Sequence, residues 1–271
     1  MSASRRVSTE PADLVRAGVP LLLLVGAVAL PSLAGLFLLG LVGGVAVAAG
    51  RRVPVAWAWA AMVPAAIIAT LRAFGPAASA WASPACSGVL DAPVPWVVAE
   101  TALVVAATVG LAGVLGAKGG DLAVRRPPKY AIRWAAMGAA VILAGGLAGV
   151  ILLARPLFGL PDVQLGGLGF VLPSVVFAVS VAVTEELAWR GAMQGWLAKT
   201  LGPWIAVLLQ SAVFGVAWGV LLGSPLVGVL AGAAGMVLGA TVVRTRSLVV
   251  ALAWHAAFNV PLFAFLACRA A

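Results

Sequence analysis

From Gly18 to Gly50 no side chain carries a charge, and apolar runs of this kind recur down to the C-terminus. A chain with such runs must satisfy every buried N–H and C=O from within itself, and a helix does so inside one segment. Runs of about 20 residues match the length needed to cross a ~30 Å hydrocarbon core. Of 271 residues, 63% are hydrophobic and 9% charged, well outside the globular range of about 45–50% and ~25%. The expected fold class is all-α, a polytopic transmembrane helix bundle of eight or nine spans.

The run from Gly18 to Gly50 is too long for one upright span, and Pro31-Ser32 near its middle points to a helical hairpin. A single long tilted helix is the alternative. The run far exceeds the 7–15-residue core of a signal peptide, so it is read as an anchor. Further spans are expected at about 53–74, 96–117, 134–153, 169–198, 203–222, 225–243 and 248–267. The organisation read from these is a polar N-terminus (1–17), N-terminal helices (18–117), a basic linker (118–133) and C-terminal helices (134–271). The stretch from Gly75 to Pro95, rich in Pro, Ser and Ala, reads as a loop.

The net charge of +9 would suggest nucleic acid in a soluble protein. Here the basic residues fall between apolar runs, where the positive-inside rule accounts for them. No nucleic-acid partner is expected. Arg51-Arg52, the 118–133 linker, Lys199, Arg244 and Arg246 fall on one side if spans alternate, which makes that side cytoplasmic. With nine spans the N-terminus is cytoplasmic too, in a plasma membrane of bacterial type. Cys86 and Cys268 are either two thiols or a disulfide pair; the sequence does not choose between them.

Inside one apolar stretch stand Glu185, Glu186 and Arg190. A carboxylate at membrane depth costs about 2.5–3.5 kcal/mol on insertion scales, so it is seldom decorative. On an α-helix Glu186 and Arg190 share a face in the favourable acid-before-base order, and Glu185 points ~100° away. The expectation is that Arg190 neutralises Glu186 while Glu185 stays available. The last apolar run holds His255, the chain's one histidine, and Asn259 four residues on. Gln210 and Ser211 form a weaker third polar group, with Phe214 and Trp218 beyond them.

A glutamate in an apolar site can serve as general base on water, and His255 with Asn259 can hydrogen-bond a developing oxyanion. Together these describe hydrolysis of an acyl bond such as a peptide. The alternative is a buried ion pair and a polar clamp that tie helices together. A zinc site is a poor match, since it normally takes three protein ligands and often two histidines. Neither Ser180 nor Ser211 has a nucleophile-elbow context. A transporter would be expected to show internal repeats, and none is evident.

At these residues the sequence resembles the CPBP family: CAAX-prenyl endopeptidases and bacteriocin-processing or immunity-associated membrane proteases. The family motifs E-E-x-x-x-R and H-x-x-x-N correspond to Glu185-Glu186-Leu187-Ala188-Trp189-Arg190 and His255-Ala256-Ala257-Phe258-Asn259. F-x-x-x-H corresponds to Phe214 through Trp218, with tryptophan where the histidine belongs. The resemblance implies an intramembrane endopeptidase. In it Glu185 activates water, Glu186 and Arg190 hold the helix, and His255 and Asn259 assist at the oxyanion. It further implies membrane lipid and a membrane-associated or prenylated protein or peptide as partners. Some descriptions of the family imply a metal, but no ligand set is evident, so no cofactor and no metal are expected. Indole can donate but not accept a proton, so a catalytically impaired, peptide-binding member is the second reading.

Overall fold

The computed structural model describes residues 11–50, 55–74, 93–158 and 168–268. They form helices α1 (Pro11–Ala29), α2 (Ala34–Gly50), α3 (Val55–Phe74), α4 (Pro93–Val114) and α5 (Lys129–Gly149). Then come α6 (Arg155–Phe158), α7 (Leu168–Glu185), α8 (Gly195–Leu201), α9 (Pro203–Leu221), α10 (Pro225–Thr245) and α11 (Val249–Cys268). Among the described residues there is no strand. Six helical segments are long and apolar enough to cross a membrane, and three shorter apolar helices cover Gly18–Ala29, Ala34–Ala49 and Val249–Phe265. The polytopic helical bundle read from the sequence is the architecture found. Cys86 and most of the 75–95 loop lie outside the described residues.

Two compact units are each gathered from three stretches of chain. The first comprises Met1–Ala73, Val104–Arg126 and Leu187–Leu248, the second Phe74–Leu103, Pro127–Glu186 and Val249–Ala271.

In the first unit the apolar run 18–50 breaks at a 3-10 turn, Pro31–Leu33, and α1 packs on α2. This is the hairpin expected from Pro31-Ser32. Leu24, Leu41, Met62, Val104, Trp196 and Leu197 form a common core. Helices α9 and α10 approach until their backbones touch: a Cβ on Gly215 would stand 2.6 Å from the Gly228 carbonyl oxygen. Small residues permit this approach, which in lipid replaces the hydrophobic drive of a water-soluble core. Gly202, at φ +83°, makes the turn between α8 and α9, and Pro203 opens α9, where its missing N–H costs nothing.

Between α4 and α5 the chain forms a short 3-10 turn, Gly119–Leu122. Asp121 accepts from the Lys118 N–H at 2.8 Å and pairs with Lys199 at 3.2 Å. Partial burial disfavours the Asp121 charge, but these two partners and Arg125 outweigh it and hold the carboxyl below its ordinary range. Lys199 Nζ also lies 3.4 Å from the Trp57 ring centroid. The linker then docks on the α10–α11 turn: Ser247 Oγ donates to the Arg125 carbonyl at 3.0 Å, and Leu248 N–H to that of Ala123 at 3.1 Å.

In the second unit α11 packs on α5 and α7. The Trp254 indole lies against Gly138, which has no Cβ to obstruct it, and donates to the Trp134 carbonyl at 3.1 Å. Phe263 fits between Phe170 and Phe177, with centroids 5.8 and 5.3 Å away. Thr101 ties α4 to α7: its Oγ1 is 2.6 Å from Thr184 Oγ1 and 3.2 Å from the Ser180 carbonyl. Helix α5 starts at Lys129, earlier than the expected Trp134, because Pro128 serves as its N-cap. Lys129 and Arg133 therefore ride on a helix and not in the linker.

Candidate active site

Glu185 is the last residue of α7, and from Glu186 to Gln194 the backbone is π-helical. Hydrogen bonds there run from i to i+5, which widens the turn, and such segments recur at functional sites. The α-helical wheel assumed for Glu185, Glu186 and Arg190 therefore does not apply beyond Glu185.

Both glutamates are fully buried, and so nearly are His255 and Asn259 on α11. All four belong to the second unit. His255 Nδ1 lies 2.7 Å from Glu186 Oε1, and His255 Nε2 lies 3.7 Å from Glu185 Oε2. One imidazole thus faces two carboxylates, one through each nitrogen. A carboxylate at this position can only accept, and against it Nδ1 is the donor. Nε2 faces Glu185 at a distance longer than a direct hydrogen bond. The helix pattern gave Glu186 only Arg190 as a neighbour; the fold adds a short hydrogen bond to the histidine. Asn259 Nδ2 donates to the Ala178 carbonyl at 3.4 Å, which ties α11 to α7, while its Oδ1 is buried without a partner.

Arg190 and Trp218 belong to the first unit. The Arg190 guanidinium carbon is 4.6 Å from the Phe214 centroid, a cation–π contact that gains strength out of water. Trp189 meets the same ring edge-on at 5.5 Å, and Trp218 meets it at 6.3 Å. Arg72 lies over the Trp218 ring at 5.6 Å, and both line a cavity of about 250 Å³ with Ala27, Ile68, Trp189 and Leu221. The third polar group works as helix ties. Gln210 Nε2 donates to Ser211 Oγ at 2.6 Å and to the Gly235 carbonyl at 3.1 Å. Gln194, which the sequence did not single out, donates to the Gly239 carbonyl at 3.1 Å.

The residues do not fit a metal centre. Among those described, no group of three or more His, Cys, Asp or Glu side chains is disposed to hold an ion. Glu186 Oε1 is also engaged by the histidine that would be a ligand.

Residues 167–261 match the family model described as Rce1-like, type II CAAX prenyl endopeptidase. This stretch, about a third of the chain, is similar to the Rce1-like family. The Rce1-like segment contains Glu185, Glu186, Arg190, Trp218, His255 and Asn259 alike. No curated protein and no solved structure gives a match. With its long apolar helices, the chain is an integral membrane protein, and its stretch 167–261 is similar to a CAAX-type protease family.

Proposed function

We propose that this Rce1-like chain is an intramembrane endopeptidase that hydrolyses a peptide bond of a membrane-associated protein or peptide. The observation that carries the reading is the imidazole of His255 held between Glu186 at 2.7 Å and Glu185 at 3.7 Å, all three buried. A water between Glu185 Oε2 and His255 Nε2 has an acceptor on either side. Glu185 takes one proton as the water oxygen attacks the scissile carbonyl, and that proton later goes to the leaving amine. Glu186 keeps the ring in one orientation and offsets the charge it gains if Nε2 is protonated. The water's other hydrogen stays on its oxygen as the tetrahedral intermediate forms, and Nε2 accepts from it.

The test is a proteolysis assay that compares wild type with Glu185→Ala in the same membranes and at matched protein amount. Loss of a general base should cost about 10²–10⁴-fold in rate. Equal turnover by both forms removes Glu185 from the chemistry. A second reading rests on Trp218, which stands where the family's second motif has histidine. In it the fold binds a peptide or partner helix without cleaving it, and both forms are then inert while binding persists.

A further inference from the structure

Four arginines far apart in sequence are brought to one corner of the first unit. The hydrogen bonds from Ser247 Oγ to Arg125 and from Leu248 N–H to Ala123 fasten the linker to the end of α10. The Arg125 backbone, next to Arg126, thereby comes beside Ser247, which follows Arg246 and lies three residues after Arg244, while the Arg125 guanidinium rests against Gly120. All four are exposed. Arg246 caps α10 in the left-handed conformation, at φ +54°, and Ala123 adopts the same conformation in the linker, at φ +53°. Two such non-glycine residues are uncommon, and both form the bends that bring the strands of chain together. The linker's one acid, Asp121, is engaged by Lys199, by the Lys118 N–H and by the charge of Arg125, which leaves it nothing for Arg126, Arg244 and Arg246. Val124, between the docked Ala123 and the arginine pair, is 59% exposed, an apolar side chain among guanidinium groups.

We infer that this corner is a binding site for the headgroup of an anionic glycerophospholipid. Among the described residues no acid is paired with Arg126, Arg244 or Arg246, and charge so placed calls for an anion. Guanidinium groups match phosphate oxygens two at a time. The corner closes α10, a helix apolar enough to span the membrane, so an anion at its end lies at headgroup depth. The exposed valine suits the boundary between headgroup and acyl chains, which a free anion in water would have no use for. The positive-inside rule asks only for a count of basic residues and is indifferent to whether the linker is fastened. Ser247 separates the two.

The full chain, purified in a zwitterionic detergent, is titrated with phosphatidylglycerol and in parallel with phosphatidylcholine, and bound lipid is counted by native mass spectrometry. Phosphatidylglycerol should be retained at least about tenfold more tightly, and each Arg→Gln exchange among the four should weaken it about fivefold. Ser247→Ala keeps every charge but releases the linker, and it should weaken phosphatidylglycerol binding with no change for phosphatidylcholine. Arg125→Lys with Arg246→Lys also keeps the charge and loses the bidentate geometry, so it serves where Ser247→Ala fails to fold. Equal retention of the two lipids overturns the site. So does unchanged selectivity in both charge-preserving variants, which would leave only diffuse attraction. Displacement of the lipid by inorganic phosphate at equal concentration would mean that the corner reads a free anion, and overturns the lipid assignment.

Discussion

At the scale of single residues, the site turns on which carboxylate serves which nitrogen. Glu186→Gln keeps an oxygen that can accept from Nδ1 but removes the charge that steadies a protonated ring. Turnover is expected to fall by about 10²–10⁴-fold, while the folded amount stays close to wild type; a Gln variant with full turnover would leave Glu186 as packing alone. Trp218 gives a test of opposite sign. If the fold cleaves peptides, Trp218→His supplies a group that can accept and donate protons near neutral pH, and the rate should rise in a manner abolished by Glu185→Ala. A gain that survives Glu185→Ala would assign the chemistry to other residues. That Glu185, Glu186 and His255 are candidates was legible in the sequence, because charge and imidazole stand out against an apolar background. Their pairing was not. Glu186 and His255 are 69 positions apart, and a helical wheel records only neighbours on the same helix.

At the scale of elements, helix positions were readable from run length and proline. The break at Pro31 and the starts of α9 and α10 at Pro203 and Pro225 fall where the ring forbids an internal hydrogen bond. The π-helical stretch from Glu186 to Gln194 left no such mark, since no proline interrupts it. The same holds for the α9–α10 approach: glycines signal that helices can close in, not which glycine meets which. Gly215 can be tested directly. The Cβ of Gly215→Ala would face backbone atoms, the Gly228 carbonyl oxygen at 2.6 Å and Gly232 Cα at 3.1 Å. A side chain can swing aside, but here two helices must separate. Overpacking of this kind typically costs about 1–3 kcal/mol, and a lowered thermal midpoint in detergent should report it. An unchanged midpoint would mean that α9 and α10 are not in backbone contact.

At the scale of the molecule, polar surface outside the apolar segments is scarce, so its few pairs are exposed to pH. The Asp121 carboxyl is held below its ordinary range in the fold. Its contribution to stability is complete above the unfolded value, about pH 3.9, and disappears as pH falls through the lower folded value. Wild type should therefore lose thermal stability in that acid window more steeply than Asp121→Asn. The difference should be small, since the pair is partly solvated, and parallel curves would remove Asp121 from the acid response.

The doubling back of α1 upon α2 has a topological consequence. A chain that turns at Pro31–Leu33 and returns along its own path makes an even number of crossings by Gly50, two if the pair reaches through and none if it only dips in. Either count gives the same parity, so the start of α1 and the end of α2 share a compartment. The count of eight, which needs a single tilted helix over 18–50, is thereby set aside, because the start of α1 and the end of α2 open on one face.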